Sequence, residues 1–143
     1  MEKKDWILLA LQESPLDRLH LMKVLFLTWH RYGRNIPGYF RFEPYLYGPC
    51  SFETYSVLER LSNEQHLAQP PHPVQQWAKY YLTDKGKRVA NEARDRVNPE
   101  VLRVLDGVVR EVSALGFSKL LTRVYAEAPD FAVNSVVRGV FKS

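Results

Sequence analysis

A chain of 143 residues, 45% hydrophobic and 25% charged, suits one globular domain with a real core and excludes a disordered or low-complexity polymer. Its formal charge of +4 permits contact with nucleic acid without demanding it, because a dedicated binder concentrates its excess charge on one face. The single cysteine, Cys50, excludes an internal disulfide, no run approaches the roughly 18 apolar residues of a membrane span, and no signal-peptide pattern opens the chain, so a cytoplasmic protein with no membrane role is expected.

In chain order, residues 3–13 predict a first helix, ended by Ser14 and Pro15. Residues 17–33 predict the most deeply buried helix. Leu19, Leu21, Met22, Val24, Leu25, Phe26, Leu27, Trp29 and Tyr32 cover nearly every side of it, and His20, Lys23, His30 and Arg31 form its only polar strip. Ser14 or Asp17 can cap it, and Gly33 stops it. The segment 34–38 reads as a loop by its proline and glycine. The aromatic run 39–46 predicts a strand with Phe40, Phe42 and Leu46 on one face and Arg41, Glu43 and Tyr45 on the other. Pro44 keeps that strand short or at a sheet edge. Tyr47, Gly48 and Pro49 predict a tight turn. A helix follows to about residue 63, capped by Ser51, with Phe52, Tyr55, Leu58 and Leu61 on its apolar face.

Residues 66–82 predict a hairpin whose tip is the proline-rich stretch 70–73. Thr83 or Asp84 caps a helix over 84–96. Asn98 caps the next helix, and Pro99 opens it. Its Val101, Leu105, Val108, Val112 and Leu115 keep heptad-like spacing. Ser118 is expected to cap a short helix to residue 127, and 131–141 is compatible with helix or strand. Helix, buried helix, strand, helix, hairpin and further helices is the order of a winged-helix domain with additions. The expected fold is α+β, mostly α: a winged-helix-like domain with a short β-hairpin wing and extra C-terminal helices. It is a single domain, 1–143, with a core at 1–97 and a C-terminal helical extension at 98–143. The helix 51–63 would hold the recognition position.

Lys23 before Val24, Leu25 and Phe26, the turn Tyr47, Gly48 and Pro49, a helix containing Tyr55, the run Leu82 to Gly86, and LLTRVYAEAPDF at 120–131 form an ordered set. With these marks the chain resembles the YwgA-like proteins, relatives of the SocA-type Panacea-domain family, over about 15–135. Cys50 stands where Panacea members tend to carry an apolar residue. The resemblance implies a small prokaryotic protein, often associated with phage or mobile elements, that acts through protein contacts as an antitoxin or proteolytic adaptor. It carries over no catalytic residue.

Read from the residues alone, catalysis has little to stand on. Cys50 with His20 or His30 could pair a nucleophile with a base, but a lone cysteine after a turn is more often a small packed residue. The four histidines lack zinc spacing, and no glycine-rich phosphate loop is present, so no metal or cofactor is expected. Glu92, Asp95 and Glu100 alternate with arginines as on solvated helix faces. Two basic groups suit DNA. One is His30, Arg31, Arg34 and Arg41; the other is Lys79, Lys85, Lys87, Arg88, Arg94 and Arg96. The aromatic surface of Tyr39, Tyr45 and Tyr47 with Cys50 and Ser51 suits a protein partner. The leading expectation is a non-enzymatic regulatory or accessory binding protein with a protein partner. The alternative is a winged-helix DNA-binding regulator, and the broad stripe of the helices at 100–128 would allow a homodimer.

Overall fold

The structure, a computed structural model, describes residues 1–134. It is α+β and mostly helical. Helix α1 (Lys3–Ala10) opens with a reciprocal cap in which the Glu2 backbone N–H donates to Asp5 Oδ2 at 2.8 Å. A two-residue strand, β1 (Leu16–Asp17), follows where the sequence predicts only a break between helices. Asp17 then caps α2 (Arg18–Arg31), its Oδ1 accepting from the Leu19 and His20 backbone at 2.9 Å each. As its all-round apolar pattern demands, α2 runs through the middle of the molecule, with Leu21, Val24, Leu25, Phe26 and Leu27 fully buried.

The aromatic run is mostly not strand. Pairing is confined to β2 (Glu43–Tyr45) and β3 (Gly48–Cys50), and the tight turn is Leu46 and Tyr47. Gly48, Pro49 and Cys50 form the returning strand, not the turn. Pro44 lies opposite Pro49; neither has a backbone N–H, so the ladder cannot extend as a regular sheet. Gly48 has φ +88°, and a Cβ there would lie 2.7 Å from Tyr125 Cε1, so this position accepts only glycine. Tyr39 and Phe40 are both buried, while Leu46, expected on the inner face, is exposed.

Helix α3 (Phe52–Asn63) buries Thr54, Val57, Leu58 and Leu61. The inner stripe is therefore rotated from the expected one, and Phe52 and Tyr55 face out. Next come β4 (Leu67–Ala68), a 3-10 turn at Gln75–Trp77 and β5 (Lys79–Leu82). The 66–82 hairpin is present, and it is wider than a hairpin. β5 is the middle strand of a three-stranded antiparallel sheet, with Leu16 opposite Tyr80 and Leu67 opposite Leu82.

Thr83 caps α4 (Asp84–Arg96), its Oγ1 accepting from the Gly86 backbone at 3.1 Å, and Asn98 caps α5 (Pro99–Ser113), accepting from the Glu100 backbone at 2.8 Å. Helix α6 (Phe117–Glu127) starts ahead of Ser118, with Gly116 at the cap position. Val101, Leu105, Val108 and Val112 of α5 are buried, and α5 packs along α2. The C-terminal helices are thus part of the core, not an extension of it, and the stripe that suggested a homodimer is covered by the chain itself. A 3-10 turn at Pro129–Ala132 sets Phe131 against Phe26, ring centroids 4.8 Å apart. The segment from residue 135 on, read as helix or strand, lies outside the described residues. Among the described residues no helix is long and apolar enough to cross a membrane.

Candidate functional site

The polar strip expected on α2 contains one residue that is not on the surface. Lys23 is 2% exposed, and its ammonium donates to the Pro49 carbonyl at 3.0 Å. Among the described residues it has no carboxylate partner. Burial drives its pKa down to about 8, with only the neighbouring Cys50 acting against burial. The residue just after β3 is held in the same place: the Ser51 backbone N–H points at Met22 Sδ, 3.3 Å away. Helix α2 and β3 are thereby tied together at Met22, Lys23, Pro49 and Ser51.

Above this contact lies a cavity of about 120 Å³, walled by Arg18, Lys23, Tyr45, Tyr47, Cys50 and Tyr55 among others. Cys50 Sγ is 3.9 Å from the Tyr55 hydroxyl. Burial pushes the Cys50 thiol up, the opposite of the depression that activates a thiol. Burial, and then Cys50, carry the Tyr55 phenol to about 12. The Arg18 guanidinium lies 6.0 Å from the Tyr55 ring centroid. Neither histidine proposed as a base serves Cys50. His20 is held by Asp17 at 2.7 Å and by the Leu115 carbonyl at 2.8 Å. Burial would lower its pKa, but these two partners outweigh burial and hold it above the usual value. His30 stacks on Phe26, and its Nδ1 accepts from Arg34. Among the described residues no group of three or more His, Cys, Asp and Glu side chains could hold a metal ion.

Outside the cavity the surface is aromatic. Tyr45 is 43% exposed and Phe52 46%, and their rings meet edge to face with centroids 4.9 Å apart. Leu46 and Tyr55 are exposed beside them. Tyr47 and Trp77 both pack on Phe117. Of the five residues expected to meet a partner, Tyr45 and Tyr47 come together here, and Cys50 lies buried beneath them in the cavity wall. Tyr39 does not: it is 6% exposed, its hydroxyl donates to the Leu25 carbonyl at 2.7 Å, and its ring packs on Trp6. Ser51 is fully buried, and its hydroxyl makes no cap bond. Sequence reasoning missed Lys23, Arg18, Phe52 and Tyr55. For Lys23 the signal was there: a cation in the middle of an apolar run. For Phe52 and Tyr55 it pointed the wrong way, because aromatics at helical spacing read as core.

The basic groups divide. Arg31 is bound by Glu111 at 2.5 Å and Glu127 at 2.7 Å, which hold its guanidinium firmly protonated. Arg123 also pairs with Glu111. Arg34 pairs with Asp130 at 3.0 Å and lies over the Trp29 and Phe131 rings. Arg31 and Arg34 of this first group thus clamp α2 and its end to α5, α6 and the turn after it, and are not a free basic patch; Arg41 stands apart, exposed, with its backbone N–H donating to Glu53 at 3.1 Å. A larger open hollow along α6, about 540 Å³, is lined by Arg123 and Glu127, which these same pairs already engage. Arg94 is likewise spent on Asp106. By contrast Lys79, Lys85, Lys87 and Arg88 are exposed and, among the described residues, form no ion pair; Lys85 donates only to the Glu64 carbonyl at 2.8 Å. Arg31→Gln should cost about 1 kcal/mol, since a network of part-buried pairs exceeds an isolated surface one. Urea midpoints should show that cost shrinking in high salt; a salt-independent cost would mean the clamp acts by packing alone.

No protein-family model matches the chain, and no curated protein or solved structure matches it either.

Proposed function

We propose that the protein acts by binding, as a regulatory or accessory module of a prokaryotic mobile-element or defence system, and that it docks a protein partner on the face made by the β2–β3 turn and the start of α3. The observation that carries this reading is the contiguous exposure of Tyr45, Leu46, Phe52 and Tyr55. Large apolar side chains grouped on a surface mark interaction sites, and tyrosine is among the residues that dominate interface energy. The element order and the sheet that joins β1 to the 66–82 hairpin support a winged-helix-like arrangement with α3 in the recognition position. Yet the outward side of α3 leads with Phe52, Tyr55 and Glu59, and of the base-reading types Arg, Lys, Asn and Gln it offers only Arg60, which lies 3.8 Å from Glu64, and Asn63 at its end. The antitoxin- or adaptor-like character follows from the resemblance to Panacea-domain proteins.

A second reading has its own observation. Lys79, Lys87 and Arg88 are exposed and unpaired near the sheet, where phosphates could neutralise them. The two readings separate in one experiment. Partner capture from the source cell is run with wild type, a Tyr45→Ser/Phe52→Ser double variant and a Lys79→Glu/Lys87→Glu double variant, alongside anisotropy titrations of duplex DNA at low and moderate salt. The aromatic variant should lose the captured partner by about tenfold or more, the size expected for interface anchors, while the charge variant keeps it. Tight, salt-sensitive DNA binding that only the charge variant loses would put the DNA reading in first place.

A further inference from the structure

We infer that the cavity between α2, the β2–β3 hairpin and α3 is a carboxylate-binding site, with Lys23 as the buried counter-ion and Arg18 as the second cation. This goes beyond the docking surface and stands on the cavity, not on that reading. Both cations that line the cavity, Lys23 and Arg18, lack a carboxylate partner among the described residues, and no acidic residue lines it. An ammonium has three donors. Lys23 uses one on the Pro49 carbonyl, and no acceptor for the other two is found among the described residues. A buried charge left without a counter-charge is costly, and proteins ordinarily pair it. Here the missing partner is an anion, and the open space lies where the cation is.

The dimensions select its class. A cavity of about 120 Å³ admits a group of a few heavy atoms. The walls contributed by Tyr45, Tyr47 and Tyr55 are rings, suited to a short aliphatic stem. A carboxylate brings one negative charge, two acceptor oxygens and such a stem, and an ammonium with a nearby guanidinium can satisfy both oxygens. It can come from a free small acid or from an acidic side chain presented by a polypeptide. Cys50 of β3 acts directly on Lys23; the other titratable or charged groups lining the cavity are Tyr45 of β2, Tyr47 of the turn, Tyr55 of α3 and Arg18 of α2, and Glu43 of β2 acts on Cys50 from outside the lining. The Cys50 and Tyr55 protons come off above the range in which Lys23 titrates. Carboxylate affinity should therefore follow the Lys23 ammonium.

The wall includes Met22, and the only other methionine is the exposed Met1. Methyl-labelled methionine gives one resonance at the site and one internal control. Three probes are titrated: propionate, the blocked peptide acetyl-Gly-Glu-Gly-amide, and its Gln counterpart. The Met22 methyl should shift saturably with a carboxylate probe, the Gln peptide should leave it in place, and Met1 should not move. A response to propionate alone assigns a free acid, and a response to the Glu peptide assigns a polypeptide source. Binding should be about tenfold weaker at about pH 9 than at about pH 7, as Lys23 gives up its proton. Lys23→Leu should abolish the response. Should that variant not fold, Arg18→Gln, which changes a partly exposed residue, should weaken it about tenfold. No shift with either carboxylate, an equal shift with the Gln peptide, or affinity indifferent to both pH and Arg18→Gln would overturn the assignment.

Discussion

The protein should gain stability as pH rises from about 7 to about 10, and Lys23→Leu should remove that gain. In the fold, burial lowers the Lys23 pKa from 10.5 to about 8. Between those values the unfolded chain binds a proton at this site that the folded chain has released. Stability rises with pH wherever the unfolded state binds more protons, so the slope is positive across this window and flat below it. Each tenfold difference in proton affinity between the two states corresponds to about 1.4 kcal/mol, so the gain approaches about 3 kcal/mol. Four groups pull the other way near the top of the window. Burial raises the Cys50 thiol and the Tyr39, Tyr55 and Tyr80 phenols, so folding resists their ionisation. All four remain in the Lys23→Leu chain, so the difference between wild type and variant isolates the lysine. Urea unfolding at a series of pH values, with unchanged m-values, gives that difference directly. Parallel curves for the two chains would show that Lys23 is not buried as a cation. At neutral pH the variant gains from removing an unpaired charge but leaves the Pro49 carbonyl without its donor, a loss of about 1–3 kcal/mol. The slope, not the neutral-pH difference, is the test.

Gly86→Ala should destabilise the protein by about 3 kcal/mol or more, among the larger effects available to a single substitution. Gly86 sits in the first turn of α4, and a Cβ there would lie 2.2 Å from the His66 carbonyl oxygen. That atom is backbone, so no side chain can swing aside. To make room, α4 would have to retreat from β4. Three bonds close the same junction: the Thr83 N–H to the His66 carbonyl at 3.1 Å, the Thr83 hydroxyl to the Gln65 carbonyl at 2.6 Å, and Lys85 Nζ to the Glu64 carbonyl at 2.8 Å. Retreat strains all of them. Thermal unfolding should register a fall of roughly 6–12 °C. Gly107, also helical but with open space around its Cβ position, provides the control: Gly107→Ala should stabilise by up to about 1 kcal/mol, because glycine is a poor helix former. If both glycines respond alike, the close approach at His66 is not the cause.

Elements with a strong local signature were legible in the sequence. The apolar run of α2, the Thr83 and Asn98 caps and the hairpin at 66–82 all stand where pattern and capping chemistry place them. The strand Leu16–Asp17 was not legible, because two residues carry no alternation; it exists only because β5 offers an edge. The 39–46 run misled for a related reason. Its aromatics fit a strand, but Tyr39, Phe40 and Phe42 pack individually against Trp6, Phe26 and one another, and among the described residues no partner strand lies beside them. On α3, spacing alone admitted two overlapping stripes, and tertiary packing chose Thr54 and Val57 over the bulkier Phe52 and Tyr55. The site was half legible: Tyr45, Tyr47 and Cys50 are local to one turn. Arg18 and Lys23 reach it only through the fold, and the acidic partners that occupy Arg31 and Arg34 lie 80 and 96 residues further along the chain.

The packing of α5 along α2 bears on how the protein is made. His20 reaches the Leu115 carbonyl across 95 residues of chain, and the valines of α5 cover the same central helix. During synthesis the first hundred residues must leave the ribosome with the apolar side of α2 uncovered, since domains close only when their distant segments have emerged. For that interval the nascent chain presents chaperones and proteases with a greasy helix that the finished protein hides. A fragment ending near residue 100 would keep that face uncovered for good, and so would stay a target of both.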